Sequence, residues 1–414
     1  MAWPIRAMVG ALVAWLGLIA PAAADTYRPT RFDDPAPGKC KPANCSLREA
    51  ISEANKHKGA DKVLLAAGTY EIELTETPKN DNSGGDFDVR GPVRIVGKGV
   101  AQTTVDGNDL SRAFHLLKDP RKSVERMRIT GGNADSGGAI LVGPAETNFS
   151  PNTHKLKNLL LEGNEATSGG GIQASSQVLT ISRTTVRSNE ASSGGGMYMP
   201  AASTSGSATP PVDIRSSTFS GNIAALGGGL YIDGANPPGL TSDPRASMLN
   251  STVAFNAASV SGGGIAVIFG GSLNANHTTV AYNAADSDGS GGGNGGGIYQ
   301  STAGSFNIEE SLVKENGVGN SGDGPSCAGE FLFKGVITPQ GGSSCSFIGG
   351  SVIQGEVTAN IGNLADNGGP TQTIAILPAS TANGWSDDCP AKDQRGIVRP
   401  TTACDAGAFE ATPP

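Results

Sequence analysis

Side chains along this chain alternate at period two, in triplets such as Leu179-x-Ile181, Thr184-x-Val186 and Ile172-x-Ala174, each short enough for one extended segment. The triplets recur. Between Ser136 and Tyr299 the chain returns six times to a Gly-Gly step followed by an apolar residue: Ile140, Ile172, Met197, Leu230, Ile265 and Ile298. Ahead of five of these steps stands an Asn (Asn164, Asn189, Asn222, Asn256, Asn283), and Asn316 opens a degenerate last copy. Three residues before each Asn comes Leu161, Val186, Phe219, Val253, Val280 or Val313, and five residues earlier again Leu156, Ile181, Ile214, Met248, Ala275 or Ile308. The spacing between Asn residues is 25, 33, 34, 27 and 33, so loops vary while the apolar beats keep phase.

A unit this short cannot bury its own apolar face, and only stacked copies make a core. Residues 156–315 carry no convincing apolar stripe at the helical period. Three short strands per copy and no helix predict an all-β, right-handed parallel β-helix, each strand pairing with its counterpart one coil away at about 4.8 Å. A propeller needs four antiparallel strands and longer units. The glycines at 169–171, 194–196, 227–229, 262–264 and 295–297 are expected at sharp corners, where positive φ and close backbone approach exclude a Cβ. The recurrent Asn is expected to take the left-handed conformation there and to form an amide ladder through the stack.

Glycine supplies 60 of 414 residues, while aromatics are only 5%. Arg6, the apolar run Ala7 to Ala20 and the small residues Pro21 to Ala24 read as a secretory signal peptide, residues 1–24, too short for a good membrane span. Its removal leaves 38 acids against 29 bases, a net charge of −9, which argues against nucleic acid as a partner. The six cysteines fall into local pairs, Cys40 with Cys45, Cys327 with Cys345, and Cys389 with Cys404, flanking the repeats. This pairing rests on proximity, and disulfides pinning the ends of a stack suit an oxidising compartment. With no Cys-x-x-Cys and four scattered His, no metal site is expected.

Ser46 to Lys58 reads as a capping helix, with Ser46 as N-cap, Glu49 completing a capping box, and Leu47, Ala50, Ile51 and Ala54 on one face. The segment Cys45-Ser46-Leu47-Arg48-Glu49-Ala50-Ile51, with Gly68-Thr69-Tyr70 and Gly85-Asp86-Phe87-Asp88-Val89, resembles the CSLREA domain that begins secreted bacterial β-helix proteins. Gly137-Gly138-Ala139-Ile140 and Phe219-Ser220-Gly221-Asn222 are similar to the repeats of polymorphic outer-membrane proteins. The tail, with Leu364-Ala365-Asp366-Asn367-Gly368-Gly369-Pro370-Thr371 and Cys404-Asp405-Ala406-Gly407-Ala408-Phe409-Glu410, is similar to the choice-of-anchor Q domain. These resemblances imply a cap at 25–85, a β-helix at 86–358 and a C-terminal domain at 359–414. They also imply a secreted or cell-surface location. No autotransporter barrel or sorting motif follows Glu410, so a soluble secreted protein is expected.

Parallel β-helices host polysaccharide lyases and glycoside hydrolases, and such chemistry needs paired carboxylates or a calcium-binding acid cluster with a base. The array shows no recurrent acid position and no Asn-Thr-Asp, Gly-His-Gly or Arg-x-Lys, so no catalytic residue is assigned. Asp286-x-Asp288-x-Ser290 begins like a calcium loop but has Gly297 at its twelfth position. The acid-rich loop Asp81 to Asp88 and the pair Asp387-Asp388 read as solvated turns, and no cofactor is expected, calcium lacking support. A carbohydrate-active enzyme is the alternative to a binding protein. The residue after the inward one on each Gly-flanked strand must face outward: Gln173, Tyr198, Tyr231, Ala266 and Tyr299. Three of six tyrosines share this position, a stripe suited to sugar rings or to a matrix protein. The long inserts Gly143 to Thr153, Pro200 to Pro211 and Asp233 to Arg245 leave from the same strand. An adhesin-like binding protein using Tyr198, Tyr231 and Tyr299 is therefore expected.

Overall fold

The computed structural model describes residues 23–75, 79–117, 121–143, 154–175, 178–201, 212–234, 245–301, 304–319, 322–337, 344–347, 352–353 and 359–411. The expected signal peptide, all but its last two residues, and most of the three long inserts lie outside the described residues.

The triplets are the coils of a right-handed parallel β-helix, the hand that twisted strands impose on crossovers between parallel neighbours. Ile140, Ile172, Met197, Leu230, Ile265 and Ile298 stand in one continuous register. Leu161 to Val313 form a second row and Leu156 to Ile308 a third. All three rows are buried, so the core is a column of superposed apolar layers, mostly aliphatic. The two rows on the long face belong to separate strands in the early coils, such as Leu179–Ser182 and Thr185–Arg187. Later they merge into ten-residue strands, Arg245–Ala254, Ser272–Ala281 and Ser305–Lys314. A further polar face, including Glu165–Ser168 and Glu190–Ser193, joins them. Its inward slot holds small residues, Ala134, Ala166, Ala191, Ala224, Ala258 and Ala285, until Val318 in the last coil.

The corner is built differently from expectation in one respect. The left-handed residue is the one before each Asn: Gly163, Ser188, Gly221, Phe255, Tyr282 and Glu315, with φ between 52° and 65°. Reversal there turns the Asn side chain inward, and the ladder forms as expected. Asn189 donates its backbone N–H and its amide to Asn222 Oδ1 at 3.1 and 2.9 Å, and Asn222 does the same to Asn256 at 3.0 and 2.8 Å. The pattern runs from Asn164 to Asn316. The first glycine of each triple has positive φ, and the second is excluded from bearing a side chain by contact alone. A Cβ on Gly228 would stand 2.4 Å from Ala257 O.

At the N-terminal end the helix Leu47–Lys56 carries the expected capping box and buries Leu47, Ala50, Ile51 and Ala54. It packs against the strands Lys62–Leu64 and Phe87–Val89. Strand pairing already begins at Thr26–Tyr27, alongside Lys62 and Val63. The C-terminal segment, with the antiparallel pair Ile361–Ala365 and Thr373–Ile376, lies along the flank of the long face. Buried Gln394 donates to Thr218 Oγ1 at 2.8 Å and accepts from Thr252 Oγ1 at 2.7 Å, and Ala408 N–H reaches Thr279 Oγ1 at 3.0 Å. All three expected disulfides, Cys40–Cys45, Cys327–Cys345 and Cys389–Cys404, are formed. Among the described residues no helix is long and apolar enough to cross a membrane.

Candidate functional site

The Gly-flanked strands align one outward slot from coil to coil: Asp88, His115, Leu141, Gln173, Tyr198, Tyr231, Ala266, Tyr299, Ala328. In-register stacking places Tyr198 directly beside Tyr231, with ring centroids 5.1 Å apart and planes 15° from parallel. Ala266 leaves a gap, and Tyr299 follows. The rings are not fully open to solvent. Tyr231 is only 6% exposed, packing with Ala266 and Ile268 in an apolar cluster outside the coil that Tyr198, Leu226 and Tyr299 flank. Tyr198 and Tyr299 are half-buried and keep part of each ring accessible.

Tyr198 donates its hydroxyl to Asp233 Oδ2 at 3.3 Å. Burial, reinforced by the Asp233 charge, pushes the Tyr198 phenol up to about 12 and raises Tyr231 as well. Burial also lifts the Asp233 carboxyl above its ordinary value, partly offset by the Tyr198 hydrogen bond. The two phenols therefore stay neutral at any physiological pH, with the half-buried Asp233 carboxyl accepting from Tyr198.

At the N-terminal end of the same row the structure assembles a group that the sequence did not bring together. Asp86, Asp88 and His115 are buried, with one ligand-type atom from each lying within 4.8 Å of the others. The loop Asp81 to Asp88 is thus not the solvated turn expected, because only Asp81 and Ser83 are exposed there. Arg48, fully buried on the capping helix, explains the difference. It makes a bidentate pair with Asp34, both contacts 2.7 Å, and donates to the carbonyls of Gly85 at 2.6 Å and Asp86 at 3.1 Å, pulling the loop inward. Arg112 pairs with Asp86, and Asn82 N–H donates to Asp88 Oδ2 at 2.9 Å. Burial holds the Asp86 carboxyl above its usual value against the opposing effect of Arg112. A signal existed in the chain: Phe87-Asp88-Val89 and Phe114-His115-Leu116 repeat the strand pattern 27 residues apart without the Gly-Gly step.

The other acid motifs make ordinary turn contacts. Asp286 accepts from Gly291 N–H at 2.8 Å and Asp288 from Ser290 N–H at 3.1 Å, while Asp387 and Asp388 are exposed.

No protein-family model and no curated protein matches the chain. Among solved structures, the crystal structure of pectate lyase Pel9A is similar, with 11% identity, a TM-score of 0.46, and coverage of 94% of this chain and 97% of that one.

Proposed function

We propose that this chain is a secreted or cell-surface binding protein that recognises glycan or matrix along the outward row Gln173 to Tyr299. The observation carrying this reading is the parallel pair Tyr198–Tyr231, prolonged by Tyr299. The partly exposed, neutral rings of Tyr198 and Tyr299 suit the apolar faces of sugar rings, with Tyr231 backing Tyr198 and Asp233 supplying a polar anchor. Tyr198 and Tyr299 are three coils apart, about 14 Å at about 4.8 Å per coil, so an elongated ligand running along the stack fits better than a compact one. One carboxylate, Asp233, faces these rings among the described residues, whereas glycoside hydrolysis uses two, which favours binding over turnover. Three disulfides fit an oxidising compartment. In this reading residues 25–85 are a CSLREA-type cap, 86–358 the repeat scaffold and 359–414 a choice-of-anchor Q-like domain, on the motifs quoted above.

The test is a glycan and matrix-protein array probed with the mature chain and with a Tyr198→Ala/Tyr299→Ala variant, which spares buried Tyr231. Loss of the two partly exposed rings is expected to weaken the best ligand at least about tenfold, the share of a few stacking contacts. Equal binding by both proteins, or product formation from a polyuronide panel by the unmutated chain, would reject the proposal.

A further inference from the structure

We propose that Asp86, Asp88 and His115 form a binding site for one divalent transition-metal ion of the zinc or manganese class, joining the first coils of the stack. The cluster combines one imidazole and two carboxylates from consecutive coils, because Asp88 and His115 are register partners on paired strands. His115 Nδ1 and Asp88 Oδ1 stand 3.4 Å apart. That gap lacks the alignment of a hydrogen bond, yet two ligands each about 2.0 to 2.1 Å from a tetrahedral ion stand about 3.4 Å from one another.

Burial adds an independent indication. Asp88 is 0% and His115 4% exposed, and neither Asp88 Oδ1 nor either imidazole nitrogen makes a hydrogen bond among the described residues. Leaving such groups buried without partners is costly, and a shared cation would satisfy Asp88 Oδ1 and His115 Nδ1 together. The surroundings already hold the ligands in place. Asn82 fixes Asp88 through Oδ2, Arg112 fixes Asp86 and donates to Ser136 O at 2.7 Å, and Arg48 anchors the backbone of Gly85 and Asp86. A nitrogen ligand and a small donor set select against calcium and magnesium, which favour six or more oxygens. Two carboxylates neutralise the dication, and Arg112 adds a positive charge that moderates affinity.

The experiment uses the mature chain, dialysed against chelator and titrated calorimetrically with Zn²⁺, Mn²⁺ and Ca²⁺. One Zn²⁺ or Mn²⁺ per chain is expected, with binding weakened at least about tenfold in His115→Gln and Asp88→Asn and unchanged in Asp288→Asn. No binding, binding of Ca²⁺ alone, or full affinity in both ligand variants would overturn the site. Should those variants fail to fold, anomalous diffraction from Zn²⁺-soaked crystals of the unmutated chain decides. A peak among the three side chains supports the proposal, and one elsewhere, or none at all, refutes it.

Discussion

The amide ladder is the part of the fold whose energetic weight follows most directly from its contacts, and Asn222→Ala probes it at mid-stack. Asn222 is fully buried and makes four side-chain hydrogen bonds. It donates to Asn256 Oδ1 at 2.8 Å and Val186 O at 3.0 Å, and accepts from Asn189 N–H at 3.1 Å and Asn189 Nδ2 at 2.9 Å. Alanine leaves both Asn189 donors facing an apolar methyl, and Val186 O loses a donor. Each buried group left unpaired costs about 1 to 3 kcal/mol, so the two Asn189 donors alone bring the loss to about 2 to 6 kcal/mol. Because a stacked fold can open coil by coil, the loss should be local first. Hydrogen exchange by mass spectrometry or NMR is the assay, with urea unfolding in parallel. The Asn189 amide is expected to lose protection before amides near Asn283, because the four lost bonds all end in the adjacent coils. Unchanged protection at Asn189 together with a stability loss under about 1 kcal/mol would refute the reasoning.

Two further outcomes follow from the corner and the tyrosine row. Gly228→Ala, which drives a Cβ to 2.4 Å from Ala257 O and 2.5 Å from Gly263 O, is expected to destabilise by about 3 kcal/mol or more. Gly221→Ala meets nothing nearer than 3.8 Å and should cost only the left-handed penalty of about 1 to 2 kcal/mol; equal urea midpoints for the two would contradict the contact argument. The raised phenols of Tyr198 and Tyr231 mean that the folded state retains their protons more tightly than the unfolded state. The stability they contribute is therefore complete below pH 10.0 and is lost as pH rises through about 12 for Tyr198. Absorbance titration should show Tyr198→Phe/Tyr231→Phe leaving the phenolate signal at pH 11 essentially unchanged, and a clear drop in that signal would show that the rings ionise normally.

What the sequence discloses is set by how loudly each position is constrained. The inward rows were legible because large aliphatics recur in phase, and the ladder because only an amide both donates and accepts along the stack. The left-handed position escaped notice since Gly163, Ser188, Phe255, Tyr282 and Glu315 share no chemistry, only a backbone angle. The polar face is silent in the sequence because its inward slot is alanine in every coil but the last, too small to mark a beat. The Asp86–Asp88–His115 cluster depends on register between coils that lack the glycine step, and the docking of Gln394 onto Thr218 and Thr252 joins residues far apart in the chain. The outward direction of Tyr231 follows from strand alternation, but its burial depends on Ile268 and Leu226 from neighbouring segments.

The most direct measurement of ligand recognition is a crystal structure of the mature chain soaked with the best glycan or matrix fragment from the array. Density for an elongated ligand lying over Tyr198 and Tyr299, with a polar group at Asp233, is the expected result. Ligand density confined to the flank groove lined by Arg126, Arg183, Arg187 and Asp366, with the tyrosine row bare, would contradict it.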